Sequence, residues 1–112
     1  MRFAIPLEEG RLARHFGHCE LFAFVDVDTA SKKISAMTQI EAPEHQPGLL
    51  PPWLQRHGVT HVISGGMGSR ARELFHDASI EVLTGAPPEG PVTLVEQYLE
   101  GSLVTSPNLC DH

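Results

Sequence analysis

Cysteine, positive charge and long apolar runs are scarce in this chain of 112 residues. The two cysteines, Cys19 and Cys110, lie far apart and supply no disulfide framework; in a reducing compartment both stay thiols. Eight Lys and Arg stand against 14 Asp and Glu, a net charge of −6. That balance lacks the basic face that DNA or RNA requires, so nucleic acid is not an expected partner. No apolar run approaches the roughly 20 residues of a membrane helix, so no membrane partner is expected either. The opening "MRFAIPLEEG" has one basic residue and too short an apolar stretch for a signal peptide, which makes the cytoplasm the expected location. Repeats and low-complexity tracts are absent.

What remains is ordinary for a globular protein. Apolar residues make up 41% and charged residues 20%, enough for one core and too much for a disordered chain. The length suits a single domain, expected over 1–101, followed by a tail over 102–112.

"RFAIP" (2–6) reads as a short strand stopped by Pro6. "LFAFVDV" (21–27) is aromatic and β-branched with little alternation, as a strand buried on both faces should be. "ISAMTQIE" (34–41) alternates, putting Ile34, Ala36, Thr38 and Ile40 on one face of an edge-like strand. Leu49, Leu50, Trp53, Leu54 and His57 recur at helical spacing, with Pro51 and Pro52 near the start and Gly58 as the stop. "THVIS" (60–64) is a strand. Ala71, Leu74, Phe75 and Ala78 form a second helical stripe, "IEVL" (80–83) a last strand, and "PVTLVEQYLEG" a helix closed by Gly101. The order β-β-β-α-β-α-β-α predicts an α/β fold: a ribonuclease H-like mixed sheet of about five strands with three helices.

In that arrangement the first, third, fourth and fifth strands run parallel, and their carboxyl ends share one edge. Open α/β sheets bind ligands there. The loops 7–19, 42–50, 65–68 and 84–90 meet at this edge and carry the residues best suited to chemistry. "HFGHC" holds His15 and His18 around Gly17, then Cys19; two histidines and a thiolate suit zinc, copper or iron. The bland alternative is a polar turn with a buried cysteine. "EHQPG" adds His45, otherwise an ordinary exposed histidine. "ISGGMGSRA" puts Gly65, Gly66 and Gly68 between a strand and a helix, where bare backbone can meet phosphate, sulfide or a molybdate-like anion. The alternative is a tight turn that needs glycine for positive φ. Arg14 and Arg70 flank these stretches. "NLCDH" carries Cys110 and His112 on a tail long enough to return to the edge, or to fray. His57, His61 and His76 fall at element ends and read as structural. A metal-dependent nuclease needs clustered carboxylates on the sheet; the first strand has none, and Asp26 and Asp28 sit at the far end of the second strand, away from the glycine loop.

"RFAIP…HFGHCELFAFVDVD", "HQPGLLPPWLQRHGVTHVISGGMGSRARELF" and "IEVLTG" together resemble the dinitrogenase iron–molybdenum cofactor biosynthesis family over most of residues 1–100. The resemblance implies a ribonuclease H-like fold without nuclease activity. It also implies non-catalytic binding or carriage of an iron–sulfur or iron–molybdenum-type cluster or its precursor, with cofactor-assembly proteins as partners. His15, His45, Gly65, Gly66 and Gly68 fall on the family's pattern; Cys19 and the Cys110/His112 tail match it less regularly. Three functions follow, in order of expectation. The first is a cluster carrier, using His15 and His45 with His18 and a thiolate, and with the glycine backbone and Arg14 or Arg70 offsetting negative charge. The second is an interaction module of the same fold without cofactor. The third is an enzyme with a redox-active Cys19 or Cys110. Either a monomer or a homodimer fits, the edge strand 34–41 being free to pair with a second copy.

Overall fold

The computed structural model describes residues 1–14, 16, 19–44 and 48–105. Its elements run β1 (Arg2–Glu8), β2 (Arg11–Leu12), β3 (Leu21–Asp28), β4 (Lys33–Glu41), α1 (Leu50–Arg56), β5 (His61–Ile63), α2 (Ser69–Asp77), β6 (Glu81–Leu83) and α3 (Pro91–Glu100). The sheet order is β4-β3-β1-β5-β6, with the two-residue β2 attached to β1. β3 is antiparallel to both β1 and β4, while β5 and β6 follow β1 in parallel. Four strands therefore point the same way, as the ribonuclease H-like order requires.

The central strands are apolar on both faces because two helical layers cover them. Phe3, Ile5, Leu7, Ala23, Val25 and Val27 pack on one face against Leu94 and Val95 of α3. Ala4, Phe22, Phe24 and Val62 pack on the other against Leu54 of α1 and Phe75 of α2. The uninterrupted run "LFAFVDV" is thus split by alternation between two cores.

Two expectations are corrected. β1 passes through Pro6 and reaches Glu8. Met1 gives its carbonyl to Val27 of β3 and Leu7 gives its own to Glu20 just before that strand, whereas Pro6 gives its carbonyl to the amide of Ala13 at 2.8 Å. Pro6 is therefore in the opposite phase, and its missing N–H removes no bond to β3. In β4, Ile34 does not share a face with Ile40. Asp26 pairs with Ala36 but Val27 with Ile34, so Ser35 is an extra residue at a bulge. That slip sends Ile34 to the α3 face, while Ile40 stays on the α1/α2 face.

The far end of the sheet is closed by an ion pair. Arg2 Nε lies 2.7 Å from Asp26 Oδ1, and its Nη1 donates to the carbonyl of His57 at 2.6 Å. The His57 ring packs on Trp53 and Phe24, with centroids 4.6 and 5.3 Å away. The carboxylate of Asp26 is thereby committed to structure.

Candidate functional site at the carboxyl edge

The loops that follow β1, β5 and β6 are stitched together by their backbones. Phe16 N–H donates to Gly66 O at 2.9 Å, Gly85 N–H to Gly65 O at 2.8 Å, and Leu12 N–H to Glu89 O at 2.9 Å. Phe16 is buried against Phe22 and Phe75, edge to face in both cases. Phe16 is thus tied by its backbone to the glycine loop. His15, Gly17, His18 and His45 themselves, with Cys110 and His112, lie outside the described residues.

The three glycines of "GGMG" separate in role. None has a positive φ, so the tight-turn explanation does not hold. Gly65 is forced by crowding: a Cβ there would sit 3.0 Å from the carbonyl oxygen of Arg14 and 3.3 Å from that of Ala13. Its bareness serves the seating of the backbone at Ala13 and Arg14. Gly66 is buried. Gly68 is exposed, with φ −66° and ψ 154°, and a Cβ there would meet nothing within 4 Å. Neither sterics nor dihedrals require glycine at 68.

Gly68 is the N-cap of α2, a position where Ser, Thr, Asp or Asn usually satisfies a free N–H. Here no side chain caps the helix, and no acidic residue occupies its first turn. α3 repeats the pattern, with Gly90 as N-cap, Pro91 first, no side-chain cap and no first-turn acid. In a chain with a net charge of −6, two positive helix ends at one sheet edge are left without acidic neighbours in their own first turns. Arg14 is exposed on the same edge. Arg70, at the start of α2, has an 82% exposed side chain and a loose 3.7 Å contact with Glu73, so it is not locked into structure.

Sequence reasoning missed Ser64. It directly follows β5, is fully buried, and its hydroxyl has no hydrogen-bond partner among the described residues. Its N–H donates to Leu83 O and its carbonyl accepts from Ala86, which continues the β5 ladder. By alternation with Val62 it lies on the α1/α2 face, beneath the glycine loop. A serine in an apolar strand carries no sequence signal; only the absence of a partner marks it.

Cys19 is half-buried against the α1/α2 core, and burial pushes its thiol up to about 11. Metal binding or nucleophilic use would require loss of that proton. Among the described residues no three His, Cys, Asp or Glu side chains converge as a metal-binding group. Nor is any helix there long and apolar enough to cross a membrane.

Known proteins share this architecture. An uncharacterized protein of Methanocaldococcus jannaschii, MJ0580, is 26% identical over 106 residues, spanning 92% of this chain and 89% of the relative. The crystal structure of PH0822 superposes with a TM-score of 0.84 at 31% identity, covering 96% of each chain. The apo form of the orange protein from Desulfovibrio gigas has the same fold, with a TM-score of 0.72 at 20% identity, over 96% of this chain and 93% of that one. The model of the dinitrogenase iron-molybdenum cofactor family matches residues 1–101, and the chain belongs to that family.

Proposed function

We propose that this protein binds and hands on an anionic metal–sulfur cluster, or its precursor, at the carboxyl edge of its sheet, without catalysing a reaction. The observation that carries the reading is that the N-termini of α2 and α3 have no side-chain cap and no acid in their first turns, in an acidic chain. Backbone N–H groups there favour a negatively charged guest. His15 and His45, with His18, would supply ligands from loops. Arg14 and Arg70 would add charge. Few, exchangeable ligands suit carriage better than a closed cysteine cage.

The raised thiol of Cys19 weighs against Cys19 as the thiol of the redox-enzyme alternative, which needs a thiolate near neutral pH, and leaves Cys110 as its other candidate. It also leaves Cys19 the weakest of the candidate ligands.

The test is anaerobic purification from cells supplied with iron and molybdate, followed by metal and sulfide content per chain and a visible spectrum. Near-stoichiometric iron or molybdenum with sulfide and charge-transfer bands is the expected result, lost on replacing His15 and His45 together by alanine. Zinc alone would indicate a mononuclear site instead. A colourless, metal-free protein that also resists reconstitution would sink the carrier and leave the interaction module.

A further inference from the structure

The first turn of α2 holds unused donors. Arg72 N–H returns to Gly68 O at 3.2 Å and closes the turn, leaving the N–H groups of Ser69, Arg70 and Ala71 ahead of it without a bonded partner among the described residues. The side chain of Ala71 packs on the α1/α2 core that also holds Val62, so this turn stands over the face to which β5 sends Val62. Ser64 follows Val62 on that face, nearer the carboxyl edge. Its hydroxyl adds a donor of independent origin, fully buried and unpartnered among the described residues. A hydrogen bond made there meets no competition from water.

These groups donate, and the turn supplies no carboxylate to accept, since α2 has neither a side-chain cap nor a first-turn acid. A guest that takes hydrogen bonds from the helix end and from a hydroxyl on its inner side needs several acceptor atoms around one centre, as a tetrahedral oxyanion has. It should also carry no proton of its own. Molybdate and sulfate meet that demand at neutral pH, whereas phosphate keeps a proton there. To accept that proton Ser64 would have to stop donating.

We infer that the N-terminus of α2 and the hydroxyl of Ser64 together seat a fully deprotonated tetrahedral oxyanion of the molybdate type. The inference rests on the reading of the carboxyl edge as the site of an anionic guest, and it narrows that guest to a mononuclear precursor. Ser64 is sealed from solvent in the empty protein. An anion oxygen reaches it as the backbone yields at Gly68, where nothing steric confines the chain. A buried hydroxyl without a partner destabilises the empty protein and is satisfied once the anion is bound.

Titration calorimetry of the full chain with molybdate tests it, on wild type and Ser64→Ala, with sulfate and phosphate as further probes. Wild type should bind molybdate. Ser64→Ala should bind it about tenfold more weakly, the loss of one hydrogen bond to a charged group, without a lower melting temperature in the absence of the anion. Phosphate should bind wild type about tenfold more weakly than molybdate, for want of an acceptor for its proton. Equal affinity of wild type and Ser64→Ala, or of molybdate and phosphate, would overturn the proposal, as would a wild type that takes up no molybdate. Sulfate bound more tightly than molybdate would overturn the link between this seat and the cargo. The metal and sulfide content of the protein purified from cells decides carriage separately. A cluster-loaded protein that ignores molybdate would remove this inference alone. Ser64-dependent molybdate binding in a protein that never takes up a cluster would remove cluster carriage alone.

Discussion

The amide of Phe16 donates to the carbonyl of Gly66 across 2.9 Å, tying Phe16 to the glycine loop while its ring is held in the core. Two stretches separated by some fifty residues of chain thus act as one edge, and their variants should behave accordingly.

Gly65→Ala should destabilise the fold by about 1–3 kcal/mol, the scale of overpacking in a well-packed site. The new methyl meets two backbone carbonyl oxygens that have no rotamer by which to retreat. Chemical denaturation measures the loss; an unchanged midpoint would show that the backbone at Ala13 and Arg14 moves aside freely.

Gly68→Asp should do the reverse. The position is open and its dihedrals suit an N-cap, so an aspartate there should stabilise the protein by about 0.5 kcal/mol. The same carboxylate occupies the N–H groups and places negative charge where an anionic guest would lie, so cluster loading should fall. A variant that is both more stable and equally well loaded would remove the α2 terminus from the site.

Ser64→Ala deletes a buried hydroxyl that has no partner among the described residues, and should raise the stability of the empty protein by about 1 kcal/mol. Differential scanning calorimetry decides it. A lower melting temperature would mean that the hydroxyl is satisfied in solution.

Cys19 should alkylate about a hundredfold more slowly at neutral pH than an unperturbed thiol, since its proton is held by burial up to about 11. Timed labelling with iodoacetamide, resolved by peptide mass, separates it from Cys110. Rapid reaction at Cys19 would revive the redox reading.

His61 should make stability fall on acidification. Its ring stacks on Phe3 at 4.8 Å, and burial lowers its affinity for a proton below the ordinary value near 6.5, against the opposing pull of Glu81 at 3.0 Å. The contact has ion-pair geometry, yet burial outweighs it because Glu81 is itself 59% exposed and screened. The folded state therefore takes up the proton later than the unfolded chain does. The stabilising contribution is complete above about pH 6.5 and declines as pH falls through the lowered folded value. Denaturation at about pH 7.5 and about pH 5 should show this decline, and His61→Phe should flatten it. An identical slope in the variant would assign the effect elsewhere.

The amino-acid sequence by itself determined the element order and the layers. An apolar run such as "LFAFVDV" has nowhere to go but between two covered faces, and helical spacing of Leu50, Trp53 and Leu54 leaves few other packings. It also placed the four parallel strand ends on one edge, because strand direction follows from connection length. Tertiary structure alone decided the rest. Gly65 and Gly68 are the same letter in one motif, yet one is demanded by a carbonyl 3.0 Å away and the other by nothing steric. The bulge that turns Ile34 away from Ile40 depends on a register with β3 that the alternation of β4 cannot reveal. Ser64 is unremarkable until its surroundings prove to hold no partner. In each case the deciding quantity is a distance between residues remote in sequence, and local pattern carries no record of it.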